Sequence, residues 1–174
     1  TTVNELRVFA KTSGLYYSDN KGNKSFDQKQ WKAIKSWTKL QKNKSIDKSE
    51  AENMYRYIRE LEDVSFRQAK FWMNVPDNVD IDFNYLVDWC GLRLKAIEKE
   101  FEWWHVLKRN FTPTQVLYFV RLLQRYGQKV LDQDPKIIID TIHSVKGGEA
   151  DNVLLYSKAN WPSSFEHKNT QEQS

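Results

Sequence analysis

Cysteine is nearly missing from this chain. Cys90 is the sole thiol, so neither an internal disulfide nor a zinc site built from several cysteines can form. A reducing cytoplasm is the expected compartment. No apolar run is long enough to span a bilayer and no signal peptide opens the sequence, so no membrane partner is expected. An initiator methionine is also missing, which points to a cut or processed piece. The phosphate-cradling pattern G-x-x-x-x-G-K-[ST] occurs nowhere. Ser144 and Lys146 lack the S-x-x-K spacing of a serine–lysine nucleophile site. Asp77, Asp80 and Asp82 do not match a calcium-binding EF-hand loop, which leaves them as a turn and a helix start. Glutamate is missing between Lys11 and Lys48, where ten Lys face three Asp.

What is present is enough for a core. The 174 residues are 40% hydrophobic and 14% aromatic, with seven Trp, despite a mean hydropathy of −0.75. That length and composition fit one domain, or one domain carrying an insertion. The net charge is +4 and the isoelectric point about 9.0. The basic balance is concentrated in the Lys11–Lys48 block, which either tracks a phosphate backbone or is a solvated lysine-rich face.

Apolar spacing at Val3, Leu6, Phe9 and Ala10 predicts a first helix, ended by Gly14. "LYYSD" reads as a short strand and "NKGNK" as a turn. In "SFDQKQWKAIKSWTKLQK", about 100° per residue puts Phe26, Ala33, Ile34, Trp37 and Leu40 on one face. Lys32, Lys35, Lys39 and Lys42 fall on the other, with Trp31 beside them. That Trp either stacks on a base while the lysines meet phosphates, or packs against a neighbouring element. Asp47 and Glu50 have capping-box spacing ahead of a helix through Leu61. "FNYLVDWCGLRLKAIEKEFEWWHVLKRN" is mostly helical in pattern, with Trp89, Trp103 and Trp104 expected in the core and His105 packed rather than ligating. Thr112, Pro113 and Gln115 open a further helix. Its stripe is Val116, Phe119, Val120 and Leu123, and Gly127 closes it. "QKVLDQDP" reads as a linker. The period then changes: "KIIID" and "DNVLLYS" read as two buried strands of a parallel or mixed sheet. The fold class expected is α/β with a large all-helical insertion, helical overall.

Between those two runs lies "TIHSVKGGEA". Gly147 and Gly148 lack Cβ atoms, so their N–H groups can approach an anion. Lys146 adds positive charge. Glu149 would repel a phosphate but suits ribose hydroxyls. Thr141 and His143, at the strand end, suit a backbone phosphate. A plain strand–turn–strand accounts for the same residues.

"TIHSVKGGEADNV" resembles motif V of the UvrD/Rep-type superfamily 1 DNA helicases, T-x-H-x-x-K-G-x-E followed by a hydrophobic strand. Thr141, His143, Lys146, Gly147 and Glu149 match; Gly148 stands where most relatives carry Leu, as in the phage-type branch. "NELRVFAKTSGLYYSDNKGNKSFDQKQWKAIKSWTKL" resembles the stretch after motif IV. The resemblance implies that 1–40 and 132–174 form part of the second RecA-like domain and that 41–131 form a helical insertion subdomain. It implies nucleotide contacts at Lys146, Gly147, Gly148 and Glu149. It implies DNA contacts at Thr141 and His143, beside the Trp31, Lys32, Lys35 and Lys39 face read above. The implied parent is an ATP-dependent DNA helicase that uses ATP and Mg2+ to move along single-stranded DNA and unwind duplex DNA. Its partners would be the first RecA-like domain of the same chain and replication or repair proteins. No catalytic residue and no metal ligand is expected here. Without the phosphate-binding lysine, the metal-binding acids and the arginine of motif VI, this chain is expected to bind no cofactor and hydrolyse no ATP. The alternatives are a non-enzymatic DNA-binding module and a protein-interaction helical module.

Overall fold

The computed structural model describes residues 2–58, 64–65, 75–89, 92–94 and 102–155. Among them, helix predominates over strand. The order is α1 (Thr2–Thr12), β1 (Tyr17–Ser18), α2 (Gln28–Gln41), α3 (Lys48–Tyr55), β2 (Val64–Ser65), α4 (Phe83–Asp88), β3 (Arg93–Leu94), α5 (Trp103–Val106), α6 (Pro113–Asp132) and β4 (Ile137–Ile138). None of the described helices is long and apolar enough to cross a membrane.

Short-range chemistry sets the helix ends. After α1, the Gly14 N–H donates to the Lys11 carbonyl (3.0 Å) and the Leu15 N–H to the Ala10 carbonyl (2.8 Å). This is a Schellman closure, with Gly14 at φ +65°. Arg121 and Arg125 of α6 donate to the carbonyls of Thr12 and Ser13 that this closure exposes. Asp27 caps α2 by accepting from the Lys29 N–H. Reciprocal capping boxes open α3 (Asp47 with Glu50) and α6 (Thr112 with Gln115, Pro113 at the first helical positions).

One apolar cluster runs from Tyr16 through α2, α3 and α5 to Leu131. The expected α2 face is buried as read: Phe26, Ala33, Ile34, Trp37 and Leu40. Phe119 of α6 sits at its centre, with ring contacts to Phe26, Trp31, Trp103 and Phe111. The α6 stripe is turned slightly from the expected one. Tyr118, Phe119 and Leu122 are buried, while Val116, Val120 and Leu123 are half-buried. Helix α6 thus packs on the 1–40 segment, and the cluster joins the 1–40 and 41–131 segments, ending at Leu131.

Other details differ from the expected elements. Gly127, at non-helical φ +70°, ψ 174°, ends the first run of α6 as expected, but a second short run follows across the kink, so residues 128–132 are helical rather than linker. Helix α3 stops at Tyr55, residues 56–58 turn away from the expected helix, and residues 59–61 lie outside the described set. The region expected to be wholly helical holds β2 and β3, paired antiparallel. Trp89, expected in the core, is 64% exposed. It stacks on Tyr85 one helical turn earlier, so its only described ring partner is local. Gly91, a residue at which the helical pattern of that stretch can be interrupted, lies outside the described residues.

A parallel sheet is present, but its partners were not those expected. β4 pairs in parallel with β1, in the register Tyr17↔Ile137 and Ser18↔Ile138. A two-strand layer cannot cover "KIIID" on both faces, so Ile138 is 59% exposed. Residues 152–155 form no strand, and Leu154 is 94% exposed.

Candidate functional site

β1 and β4 run the same way, so both end at one edge of the sheet. The chain leaves β1 through Asp19 and Asn20, and leaves β4 through Asp140 and Thr141. The motif loop, 141–149, rises from that edge and is exposed throughout. Gly147 has φ +84° with open space where a Cβ would point. Its conformation requires glycine. Gly148 differs: its N–H donates to the Val145 carbonyl at 3.0 Å, and a Cβ there would lie 3.2 Å from the same oxygen. The expected pair of free backbone donors is therefore reduced to Gly147, because the turn itself consumes the Gly148 N–H. Lys146, Glu149 and His143 are exposed.

The loop is held at its base by Asp140. One carboxylate oxygen, Oδ1, accepts from the Thr141 N–H (2.7 Å) and the Ser144 hydroxyl (2.6 Å). The other, Oδ2, accepts from the Asn20 N–H (3.1 Å) and lies 3.8 Å from the Arg7 guanidinium. The Ser144 hydroxyl foremost, then the Asn20 and Thr141 N–H groups, hold this carboxyl at about 2. Asn20 also donates through Nδ2 to the Ser144 carbonyl (2.7 Å), and Arg7 to the Ile139 carbonyl (3.1 Å). Sequence reading missed Asp140, Ser144, Asn20 and Arg7. A short polar side chain four positions ahead of Ser144 is a local signal for such a turn. Asn20, 120 residues away, gives none.

The α2 face does not provide the expected stacking platform. Trp31 is 1% exposed. At the margin between the apolar and lysine faces it is taken up by α6: Phe119 stacks on it at 6.4 Å and 11°. Its Nε1 donates to Asp132 (3.0 Å). Lys35 pairs with the same carboxylate at 2.6 Å, and Lys39 pairs with Glu50 at 2.5 Å. Burial raises the Asp132 carboxyl, and the bonds from Lys35 and Trp31 more than offset this, so it stays below the usual range. Lys32 alone of the three named lysines is exposed.

His105 is exposed, with its ring edge against Trp104. Among the described residues, no group of three His, Cys, Asp or Glu is arranged to hold a metal ion. No protein-family profile, curated protein or solved structure matches the chain.

Proposed function

We propose that this chain is part of an ATP-dependent DNA helicase of the UvrD/Rep type, contributing part of the second RecA-like domain and its helical insertion. The observation that supports this reading is positional. The T-x-H-x-x-K-G-x-E loop leaves the carboxyl edge of a parallel strand pair, where α/β sheets take their ligands. It is exposed there and tied down at its base. The insertion in this reading is 41–131, and its helices α3 and α6 both share the core cluster with the 1–40 segment.

In this proposal Glu149 accepts from the ribose hydroxyls, the Gly147 N–H and Lys146 face the phosphate end, and His143 faces the DNA backbone. ATP supplies the free energy of phosphoryl transfer. The groups that perform the transfer, including the Mg2+ ligands, belong to other parts of the parent. This chain contributes binding and orientation only. Exposed apolar residues around the loop and strand — Ile138, Ile142, Val145, Val153, Leu154 and Leu155 — suit coverage by the rest of such a sheet. The non-enzymatic DNA-binding alternative loses its main support with Trp31 in the core.

The test is Glu149→Ala in the full-length protein, with DNA-stimulated ATP hydrolysis as the assay. A raised KM for ATP or a lowered kcat is expected. Wild-type kinetics in that variant remove Glu149 from the nucleotide site.

A further inference from the structure

The hydrogen-bond geometry at the loop base fixes where each proton goes. Ser144 Oγ carries one proton and lies near three acceptors: Asp140 Oδ1 at 2.6 Å, the Thr141 carbonyl at 2.8 Å and Thr141 Oγ1 at 2.8 Å. The ionised carboxylate only accepts, and charge-assisted bonds are the stronger ones. The Ser144 proton therefore goes to Asp140. The Thr141–Ser144 hydroxyl contact must then be donated by Thr141. The Thr141 N–H is already given to Asp140 (2.7 Å), and Thr141 Oγ1 itself receives the Ser144 N–H (3.3 Å). Both donors of Thr141 are spent inside the loop. A phosphate oxygen offers only acceptors, so Thr141 has no proton left for one. His143, two positions on, has no partner in the described structure and is exposed.

We propose that Asp140 and Thr141 are positioning residues that hold the 141–148 loop in shape, and that His143 is its outward donor; this rests on the nucleic-acid reading of the loop. Asp140 does this by division of labour between its oxygens. Oδ1 binds the loop, through Thr141 and Ser144. Oδ2 binds the body, through Asn20 after β1 and Arg7 of α1. The loop's orientation is thereby referred to α1 and β1 as well as to its own strand.

The test separates shape from contact. In the chain itself, amide hydrogen exchange at Ser144 and Gly148 is measured for Asp140→Asn, Thr141→Val, Thr141→Ser and His143→Ala. The first two are expected to exchange about tenfold faster or more. Thr141→Ser keeps the hydroxyl and stays at the wild-type rate, as does His143→Ala. In the full-length protein, His143→Ala raises the DNA concentration that half-stimulates ATP hydrolysis. Asp140→Asn and Thr141→Val lower kcat.

Wild-type exchange in Thr141→Val or Asp140→Asn overturns the proposal. So does a Thr141→Val variant that behaves as His143→Ala is expected to, with slow exchange and weakened DNA stimulation. Fast exchange with unchanged kcat also overturns it, since the loop's shape would then not matter. If the wild-type full-length protein shows no DNA-stimulated turnover, the helicase reading fails, and the exchange rates alone decide whether Asp140 and Thr141 hold the loop.

Discussion

Replacing Tyr118 by Phe removes one oxygen from the joint between α6 and β1. Tyr118 is 4% exposed. Its Oη lies 2.6 Å from the Leu15 carbonyl and 2.7 Å from Ser25 Oγ. The carbonyl only accepts, so the phenol donates to Leu15 and accepts from Ser25. Ser25 Oγ in turn receives the Tyr17 N–H at 3.3 Å. The bonds thus run in one direction, from the β1 backbone through Ser25 and Tyr118 to Leu15. Burial above all raises the phenol pKa, so the group stays neutral at any working pH and the effect is independent of pH.

Tyr118→Phe leaves the Leu15 carbonyl without this donor and the Ser25 hydroxyl without this acceptor. A buried unsatisfied polar group costs about 1–3 kcal/mol. Losing the phenol hydroxyl's own burial penalty offsets part of two such costs, which puts the destabilisation at about 2 kcal/mol. The assay is urea unfolding followed by tryptophan fluorescence, with the midpoint falling and the slope m unchanged. Ser25→Ala in the Tyr118→Phe background should cost less than in the wild type, with a coupling of about 1 kcal/mol. A loss below about 0.5 kcal/mol, or strict additivity of the two substitutions, would refute the directed chain of bonds.

Gly14→Ala and Gly22→Ala share a positive φ, +65° and +80°, but a Cβ at Gly14 would lie 2.7 Å from Arg121 Cβ while Gly22 has open space. Gly22→Ala should lose about 1 kcal/mol from backbone strain, and Gly14→Ala clearly more, in the same unfolding assay. Equal losses would show that the α1–α6 approach is not tight. Asp140 has its folded pKa depressed to about 2, so what its clasp contributes is complete above the unfolded value of about 4 and is lost as pH falls towards 2. Loop amide exchange, corrected for its intrinsic pH dependence, should hold constant from neutral pH to about 4 and accelerate only below that. Acceleration near neutral pH would mean that another group holds the loop. Trp31→Ala should destabilise the chain by about 3–5 kcal/mol, as a buried Trp does; a near-neutral substitution would return Trp31 to the surface.

Features governed by neighbouring residues were legible in the sequence. The Thr112–Pro113–Gln115 and Asp47–Glu50 caps, the Gly14 stop and the buried face of α2 each depend on residues within one or two turns. What was not legible depended on partners far along the chain. Trp31 sits at a face boundary that either solvent or a neighbour can claim, and only the arrival of α6 decides between them. "KIIID" has the composition of a strand covered on both faces, yet composition does not say what covers it. Asp140 reads as an ordinary strand-end acid until Asn20 and Arg7 are brought to it.

The two adjacent glycines show how the same residue type serves unlike ends. Sequence reading treats them as equivalent: two bare backbones, two donors for an anion. In the structure Gly147 is needed for its angle, since a side chain there would meet no atom but would strain a backbone at φ +84°. Gly148 has no positive φ to protect. It sits where a Cβ comes within 3.2 Å of the Val145 oxygen that its own N–H already binds. A side chain at 148 therefore presses on the turn rather than on the backbone angle. The turn must give by a few tenths of an ångström to accept one. Gly148 thus keeps the turn compact under the Asp140 clasp, while the donor available to an anion is the Gly147 N–H beside it.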